Sequence, residues 1–428
     1  MAAALGANRI EPTSSRPWRV VGLLWFAFLI NYVDRQVVYS IFPVLRSQLR
    51  FTEVQLGLIG SVFTWVYSVS MPLAGRLADL LPRRRMVIAS LILWSLATLG
   101  TGSSGSAGVL LLWRAAMGVT EALYIPAALG LIAAVHGAST RSKALAIHAT
   151  AQLAGIALGG WFGGWSAETI GWRNGFSILA GVGLAYAVVL ARALPGAPAN
   201  LVESPKTPAA AWDIFRSRCY VMLAGVFFAF CAELWMLYAW LPDFIHSKFG
   251  LSLAESGFTA TFYLQGGSAI GVLAGGAMAD AVARRLRAGR FYTAGAGVFV
   301  SAPLAYATFA SESLATMRLA ALGFGAAAGL MIANVFAAAY DVITERNYGF
   351  GAGVLNFVGG LSGGASIFLT GLLKERFGVA TLMAWAAAAA AAVAALMLAA
   401  TSVWFEKDRQ GLAGRQPGGG SAVPTSGR

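Results

Sequence analysis

The amino-acid sequence predicts an all-α membrane protein with twelve transmembrane helices in two pseudo-symmetric six-helix halves. Of its 428 residues, 58% are hydrophobic and only 11% are charged, a composition far from that of ordinary soluble domains. The apolar residues form runs of about 20 to 28 residues, long enough to cross a hydrocarbon core of about 30 Å as helices. The later runs repeat the pattern of the earlier ones in degenerate form.

The apolar runs follow one another with short polar breaks between them. The least distinct break is "LPRRR" at 81–85, between the second and third runs. We place the spans, numbered 1 to 12, at about 18–43, 54–81, 84–102, 107–135, 142–168, 175–194, 217–245, 253–281, 290–310, 314–340, 348–373 and 379–405.

One long break divides the spans six and six. Residues 195–218 contain four prolines and mixed charge, a composition typical of an exposed linker. The end of the chain is rich in small and polar residues and has little to bury. The predicted organisation is a cytoplasmic N-terminal segment at 1–17, an N-terminal six-helix bundle at 18–194, a cytoplasmic linker at 195–216, a C-terminal six-helix bundle at 217–405 and a disordered cytoplasmic tail at 406–428.

The basic residues indicate which side of the membrane the chain ends face. The formal net charge is +13, and most of the 31 lysines and arginines fall on one side of the predicted membrane, as Arg83, Arg84 and Arg284 do. This positive-inside bias predicts that both termini are cytoplasmic. It explains the basicity without a nucleic-acid partner. We expect an integral, multi-pass protein in the cytoplasmic (inner) membrane of a bacterium.

The two halves are degenerate copies of each other. The stretch from "FPVLRSQLRFTEVQLG" to "GRLADLLPRR" aligns with that from "LPDFIHSKFGLSLAESG" to "GAMADAVARR" at a shift of about 200 residues. Such repeats are typical of transporters, whose substrate site lies between the repeats near the bilayer midplane. Glycines at spacing four predict close helix contacts in spans 5, 8 and 11. They are Gly155, Gly159 and Gly163, then Gly267, Gly271 and Gly275, then Gly359 with Gly363.

The loop between spans 2 and 3 carries a recognisable motif. "GRLADLLPRRR" resembles the signature loop of the major facilitator superfamily, and the resemblance extends over nearly the whole chain. It departs from the usual motif at Leu80 and Pro82. The resemblance implies the major facilitator fold and a conformational latch in this loop. The predicted gating residues are Gly75, Asp79, Arg83 and Arg84.

Three further stretches narrow the resemblance. "NYVDRQ" in span 1, "RAAMGVTEALYIPAALGLI" in span 4 and "GWRNGF" at the start of span 6 are together similar to the Spinster-like proteins and the anion:cation symporters, which include sugar-acid transporters. These three stretches do not decide between the two groups. The resemblance therefore implies alternating-access transport of a small organic anion or export of an amphipathic, lipid-like or drug-like molecule.

Five ionisable residues lie deep within predicted spans. They are Asp34 and Arg35 in span 1, Arg114 and Glu121 in span 4, and Glu233 in span 7, which aligns with Asp34 in the repeat. Each such residue costs about 2.5 to 3.5 kcal/mol at the bilayer centre unless it is paired or hydrated. Because adjacent helical residues point about 100° apart, Asp34 and Arg35 face different neighbours. Arg114 and Glu121 are two turns apart and share a face.

This pattern predicts a site that binds an anion and a proton. We expect Arg35 to contact Glu121, and Arg114 to lie within electrostatic reach of Asp34 or Glu121. A substrate anion that displaces Glu121 from Arg35 would leave this carboxylate to take a proton. The alternative is a static set of ion pairs that hold spans 1 and 4 together. The predicted proton-coupling residues are Asp34, Glu121, Arg114 and Glu233, and the predicted substrate-binding residues are Arg35, Asn31, Tyr39, Tyr124, Gln152, Tyr263 and Asn356.

Other classes of protein fit the sequence less well. With only three histidines and no HExxH motif, the chain has no recognisable catalytic or metal-binding pattern, which argues against a polytopic membrane enzyme. We expect neither cofactor nor metal. The expected partners are a small-molecule substrate, protons and the lipid bilayer, and the protein is expected to be a monomer.

Overall fold

The structure, a computed structural model, describes residues 17–195 and 208–413, nearly all of them helical. Two 3₁₀ helices, Pro208–Arg216 and Glu345–Asn347, accompany the α-helices. The α-helices are α1 (Pro17–Ser40), α2 (Phe42–Leu49), α3 (Glu53–Leu80), α4 (Arg83–Gly102), α5 (Ala107–Ala122), α6 (Tyr124–Val135), α7 (Ala138–Thr169), α8 (Trp172–Ala193), α9 (Arg218–Phe249), α10 (Leu253–Ala283), α11 (Gly289–Ala310), α12 (Leu314–Tyr340), α13 (Tyr348–Phe377) and α14 (Val379–Ala413).

The twelve predicted spans are confirmed. Within the described ranges, twelve helical segments are long and apolar enough to cross a membrane, and each overlaps one predicted span. Span 4 is divided into α5 and α6 at Leu123. The break precedes Pro126, whose nitrogen has no hydrogen to donate to the carbonyl of Ala122.

The ends of the predicted domains differ from the structure in two places. The part of the linker nearest α9 forms the 3₁₀ helix Pro208–Arg216, and α14 continues to Ala413. The prediction of disorder is therefore wrong for 406–413, where an otherwise polar stretch extends the last transmembrane helix. The remaining parts of the predicted termini and linker, 1–16, 196–207 and 414–428, lie outside the described residues.

The helices form two compact units. The first contains the described residues up to 195 together with Ile245–Thr261, and the second contains 208–244 and 262–413. In the first unit, α1 packs on α7, α3 on α5, and α4 on α8. In the second, α11 packs on both α12 and α14. Since α4 with α8 and α11 with α14 are spans 3 with 6 and 9 with 12, the two units repeat this pairing.

Glycines allow the closest helix contacts in the first unit. A Cβ added to Gly155, Gly159 or Gly163 of α7 would lie within 2.6–2.8 Å of a carbonyl oxygen of α1. The three carbonyls are those of Leu29, Val33 and Val37. The predicted role of this glycine row in helix contact is confirmed, because no larger side chain fits at this separation.

Glycines of the second unit make close helix contacts at positions equivalent to those of the first unit. A Cβ at Gly118 of α5 would lie 2.9 Å from the carbonyl oxygen of Phe63 in α3, and one at Gly325 of α12 would lie 2.2 Å from that of Leu264 in α10. The partners of these two glycines are about 200 residues apart, as in the sequence repeat. The predicted contacts of Gly267, Gly271 and Gly275 are made with α12, and those of Gly359 and Gly363 with side chains of α9.

We expect Gly159→Leu to lower the melting temperature of the purified protein. The new side chain would meet the Val33 carbonyl and the Gln36 Cβ at 2.8 and 2.9 Å, and overpacking of this kind costs about 1–3 kcal/mol. Gly22→Leu is the control, because an added Cβ at Gly22 of α1 has nothing within 4 Å. Equal melting temperatures for the two variants would contradict the tight α1–α7 contact.

Candidate functional site

A buried ion pair joins the first and fourth spans. The Nε of Arg35 in α1 donates to Oε2 of Glu121 in α5 at 2.5 Å. The whole of Glu121 is buried, and Arg35 is only 6% exposed. The contact predicted from the sequence is therefore present. The pair joins two helices that are far apart in the sequence, so breaking it would remove a contact between α1 and α5.

Three aromatic rings surround the Arg35 guanidinium. Its Cζ lies 4.7 Å from the ring centroid of Tyr32, 4.4 Å from that of Tyr67 and 5.1 Å from that of Phe63. Each distance is within the range of a cation–π interaction, which strengthens when water is excluded. The rings pack around the guanidinium, whose Nε donates to Glu121 and whose Nη2 has no partner among the described residues.

Arg114 adds a second buried positive charge beside the first. Its Cζ lies 4.6 Å from the Phe63 ring centroid, so both arginines contact the same ring. Its Nε donates to the carbonyl of Ile59 at 3.3 Å, and its Nη1 approaches the Met117 sulfur at 3.3 Å. Arg114 makes no ion pair with a carboxylate within the part of the chain that the structure describes. Its charged neighbours are Glu121, Asp34 and Arg35.

Asp34 faces away from Arg35, as their adjacency in a helix requires. Its carboxylate lies beside Trp94 and Thr98 of α4, and its charged neighbours are Glu121 and Arg114. It is wholly buried, and neither of its oxygens has a hydrogen-bond partner among residues 17–195 and 208–413. Asp34 is therefore a constituent of the charge cluster without being locked in an ion pair.

The cluster has more hydrogen-bonding capacity than it uses. Among the described residues, the Nη2 atoms of Arg35 and Arg114, Oε1 of Glu121 and both side-chain polar atoms of Asn31 have no partner. Buried polar atoms in proteins are nearly always bonded. Asn31 lies near Glu121, and Tyr39 lies near Arg114. These atoms form a set of donors and acceptors that is suited to a small polar ligand.

Other predicted substrate-binding residues are placed differently. The hydroxyl of Tyr124 donates to the carbonyl of Leu24 at 2.5 Å and contacts Nε2 of His148 at 3.2 Å. Both contacts join helices of the first unit. Gln152 is half-buried in α7. Tyr263 and Asn356 belong to the second unit. There Tyr263 is half-buried, and the Nδ2 of Asn356 donates to its own helix, at the Ala352 carbonyl.

Glu233 is the second unit's counterpart of Asp34. It lies in α9, is wholly buried, and neither carboxylate oxygen has a hydrogen-bond partner within the described ranges. Both units thus carry an unbonded buried carboxylate at the same place in the repeat. No buried arginine pairs with Glu233 among these residues, which distinguishes its surroundings from those of Asp34.

The predicted gating loop ties helices of the first unit together. Arg83 donates to the carbonyl of Gly130 at 3.2 Å, and Arg84 donates to the carbonyls of Leu194, at 2.7 Å, and Ala191. Both arginines are half-buried. Gly75 is half-buried, and the side chain of Asp79 is exposed.

Sequence reasoning did not identify Phe63 or Met117 as part of the site. Phe63 contacts both arginines, and Met117 contacts Arg114. The sequence does not show whether an apolar residue of a transmembrane helix contacts lipid, the protein core or a cation. Their one signal is spacing, since Phe63 lies four residues before Tyr67 and Met117 lies three after Arg114.

Twelve spans in repeated units, with paired charges buried among the helices of one unit, define a membrane transporter for a small molecule. The sequence profile of the Major Facilitator Superfamily matches residues 24–367, and the chain belongs to this family. Ionisable residues inside the membrane are rare and commonly mark functional sites.

Individual relatives agree with both sides of the predicted resemblance, which is confirmed. The D-galactonate transporter of Escherichia coli is 23% identical over 89% of this chain and 94% of its own. Human protein spinster homolog 1 is 30% identical over 56% of this chain and 48% of its own. The crystal structure of a bacterial homolog of the human lysosomal transporter Spinster, inward-facing and unoccupied, matches with a TM-score of 0.74 at 20% identity, covering 93% of this chain and 98% of that one.

Proposed function

We propose that the protein is a proton-coupled transporter of a small organic anion, such as a sugar acid or another carboxylate. The observation that supports this most strongly is the buried Arg35–Glu121 pair with its unused hydrogen-bonding atoms. An arginine presents a planar fork that binds a carboxylate through two parallel hydrogen bonds. Glu121 accepts from Nε of Arg35, and Nη2 has no partner among the described residues, so this nitrogen is the one that would bind a substrate carboxylate.

Binding of the anion and of the proton are linked through Arg35. As the substrate takes over the guanidinium, Glu121 loses its positive partner and gains a proton. The cluster has two arginines and two carboxylates, Asp34 and Glu121, so its formal charges balance. One monovalent anion and one proton preserve that balance, which avoids the cost of net charge in a low-dielectric interior. Asp34 is the second candidate proton site.

The family context supports the remaining parts of this proposal. One relative transports D-galactonate, which is a sugar acid. We propose alternating access, with Gly75, Asp79, Arg83 and Arg84 as the gating loop and Glu233 as a coupling residue in the second unit. The excess of lysine and arginine on one side of the predicted membrane supports cytoplasmic termini. We propose that the membrane is the inner membrane of a bacterium. The transporter works as a monomer.

The second candidate is export of an amphipathic molecule. It rests on the similarity to human spinster homolog 1, which is the more identical of the two named relatives although it covers less of the chain. A cargo of this kind would be recognised through its apolar part. The buried charges would then couple proton movement to export without contacting a substrate carboxylate.

A ligand panel on the purified protein separates the two candidates. We expect at least one sugar acid to raise the melting temperature, because a ligand at 100 times its Kd stabilises the folded state by about 2.7 kcal/mol. The matched neutral sugar should give no shift, since it lacks the carboxylate that Arg35 binds. If a lysophospholipid raises the melting temperature and no carboxylate does, the amphiphile exporter replaces the anion transporter as the better description.

A further inference from the structure

Arg318 of the second unit is an arginine in a transmembrane helix without a carboxylate partner among the described residues. It lies in the second turn of α12, about 6 Å along the axis from Leu314, where the helix begins. Its side chain is half-buried, and its Nε is buried with no hydrogen-bond partner in the same part of the chain. Glu312, the nearest carboxylate in the sequence, is exposed and forms no ion pair with it. An intramembrane charge of this kind is a candidate functional site.

An aromatic ring packs on the Arg318 guanidinium. Its Cζ lies 5.5 Å from the ring centroid of Tyr263 in α10, within the range of a cation–π interaction. The first unit has a similar pair, because Cζ of Arg114 in α5 lies 4.6 Å from the ring centroid of Phe63 in α3. In each unit, therefore, an arginine of the fourth span lies over an aromatic ring of the second span.

The two arginines differ in their height within the repeat. Arg114 precedes Gly118 by four residues, and Arg318 precedes the equivalent Gly325 by seven. Arg318 is therefore three residues, or about 4.5 Å, nearer to the start of its helix. Three spans precede α5 and nine precede α12, so both helices start on the side of the membrane opposite to the start of α1, which we call the outer side. Arg318 lies nearer to the outer side than a strict repeat of Arg114 would.

The surroundings of Arg318 favour an anion. The dipole of α12 is positive at this end, so the helix itself does not compensate the charge of the arginine. The buried Nε would gain a hydrogen-bond acceptor if an oxyanion approached it. A guanidinium binds a carboxylate through such hydrogen bonds, which are stronger than those between neutral groups. The Tyr263 ring shields one face of the guanidinium and leaves its nitrogens for the anion.

We propose that Arg318, with Tyr263 packed on its guanidinium, binds the carboxylate of the transported anion at a second site on the outer side. The inference rests on the proposed function and adds a transit site to it. Because no carboxylate pairs with Arg318 within the described residues, an anion that binds here displaces none and brings no proton uptake. The site would thus set the affinity for the substrate, whereas Arg35 and Glu121 couple it to the proton.

Uptake kinetics in proteoliposomes test this role, with labelled D-galactonate as the probe. We expect Arg318→Gln to raise KM roughly tenfold or more through loss of a charged hydrogen bond, while the maximal rate under a pH gradient stays close to that of the parent. Arg318→Lys keeps the charge without the planar fork and should give an intermediate KM. Arg376→Gln is the matched control, because Arg376 ends α13 on the outer side and lies 5.0 Å from the ring centroid of Phe377. Equal KM values for Arg318→Gln and Arg376→Gln would overturn the site.

Modification of arginines by phenylglyoxal, measured by peptide mass spectrometry, tests binding without transport. D-galactonate should slow the modification of Arg318 in the purified parent and in Arg35→Lys, whereas D-galactose should slow it in neither. The modification of Arg376 should not change. Protection of Arg318 without any uptake of D-galactonate would overturn the proposed function and leave this site in place. Absence of protection in the parent, or its loss in Arg35→Lys, would overturn the second site.

Discussion

Replacement of Arg35 by lysine is expected to abolish proton-driven anion uptake in proteoliposomes while leaving the protein folded. Lysine retains the positive charge beside Glu121 but loses the planar fork and its contacts with three aromatic rings. A hydrogen bond to a charged group contributes about 1.5–3 kcal/mol, so its loss lowers anion affinity by roughly 10- to 100-fold. Arg35→Ala should be more damaging, because removal of one partner of a buried pair costs about 3–5 kcal/mol in stability.

Arg46→Lys is the matched control for this experiment. Arg46 of α2 pairs with Glu53 of α3 in the same unit, through Nε at 2.5 Å and Nη2 at 3.1 Å. This pair is also an arginine–glutamate contact between helices, but it is only partly buried and lies outside the cluster. We expect uptake by Arg46→Lys to match that of the parent. Unchanged uptake by Arg35→Lys would show that Arg35 does not bind the substrate.

Replacement of Glu121 by glutamine is expected to uncouple substrate transport from the proton gradient. The amide is nearly isosteric and still accepts a hydrogen bond from Arg35, but it cannot take up a proton when the substrate arrives. A pH gradient should then no longer drive accumulation in proteoliposomes, whereas exchange of labelled for unlabelled substrate across the membrane should persist. The measurement is the ratio of gradient-driven uptake to exchange, compared between the variant and the parent.

Glu53→Gln provides the corresponding control, since Glu53 is the carboxylate of the partly exposed pair. It should retain both gradient-driven uptake and exchange. If Glu121→Gln also accumulates substrate under a pH gradient, Glu121 is not the coupling site, and Asp34 becomes the residue to replace next. Loss of exchange together with uptake would instead indicate that the Arg35–Glu121 pair acts as a static helix contact.

Much of the fold could be predicted because the bilayer constrains the sequence directly. A segment that crosses it must be apolar, helical and about 20 residues long, and all twelve spans met this requirement. The glycine rows were equally readable, since Gly155, Gly159 and Gly163 contact α1 as their spacing predicts. Outside the bilayer this constraint is absent, and α14 continues into the polar residues 406–413 that composition marks as unstructured.

The candidate site could be predicted only where a residue type is energetically costly in the membrane. Asp34, Arg35, Arg114 and Glu121 were identified by that cost, and the structure brings them together. Tyr124 was selected for its type alone, and its hydroxyl is committed to Leu24 and His148. Polar aromatic residues are inexpensive in a helix bundle, so their presence does not distinguish a packing role from a binding role.

By itself, the sequence determined that this is a twelve-span membrane protein with a repeat and a charged pair in its first span. Helical geometry also determined that Asp34 and Arg35 face different neighbours, because adjacent side chains point about 100° apart. Which neighbours they face was decided only by the tertiary structure: Trp94 and Thr98 lie beside Asp34, whereas Glu121 lies beside Arg35. The rotation of one helix against another depends on the packing of apolar side chains such as Phe63. The contacts of such a side chain cannot be predicted from the sequence.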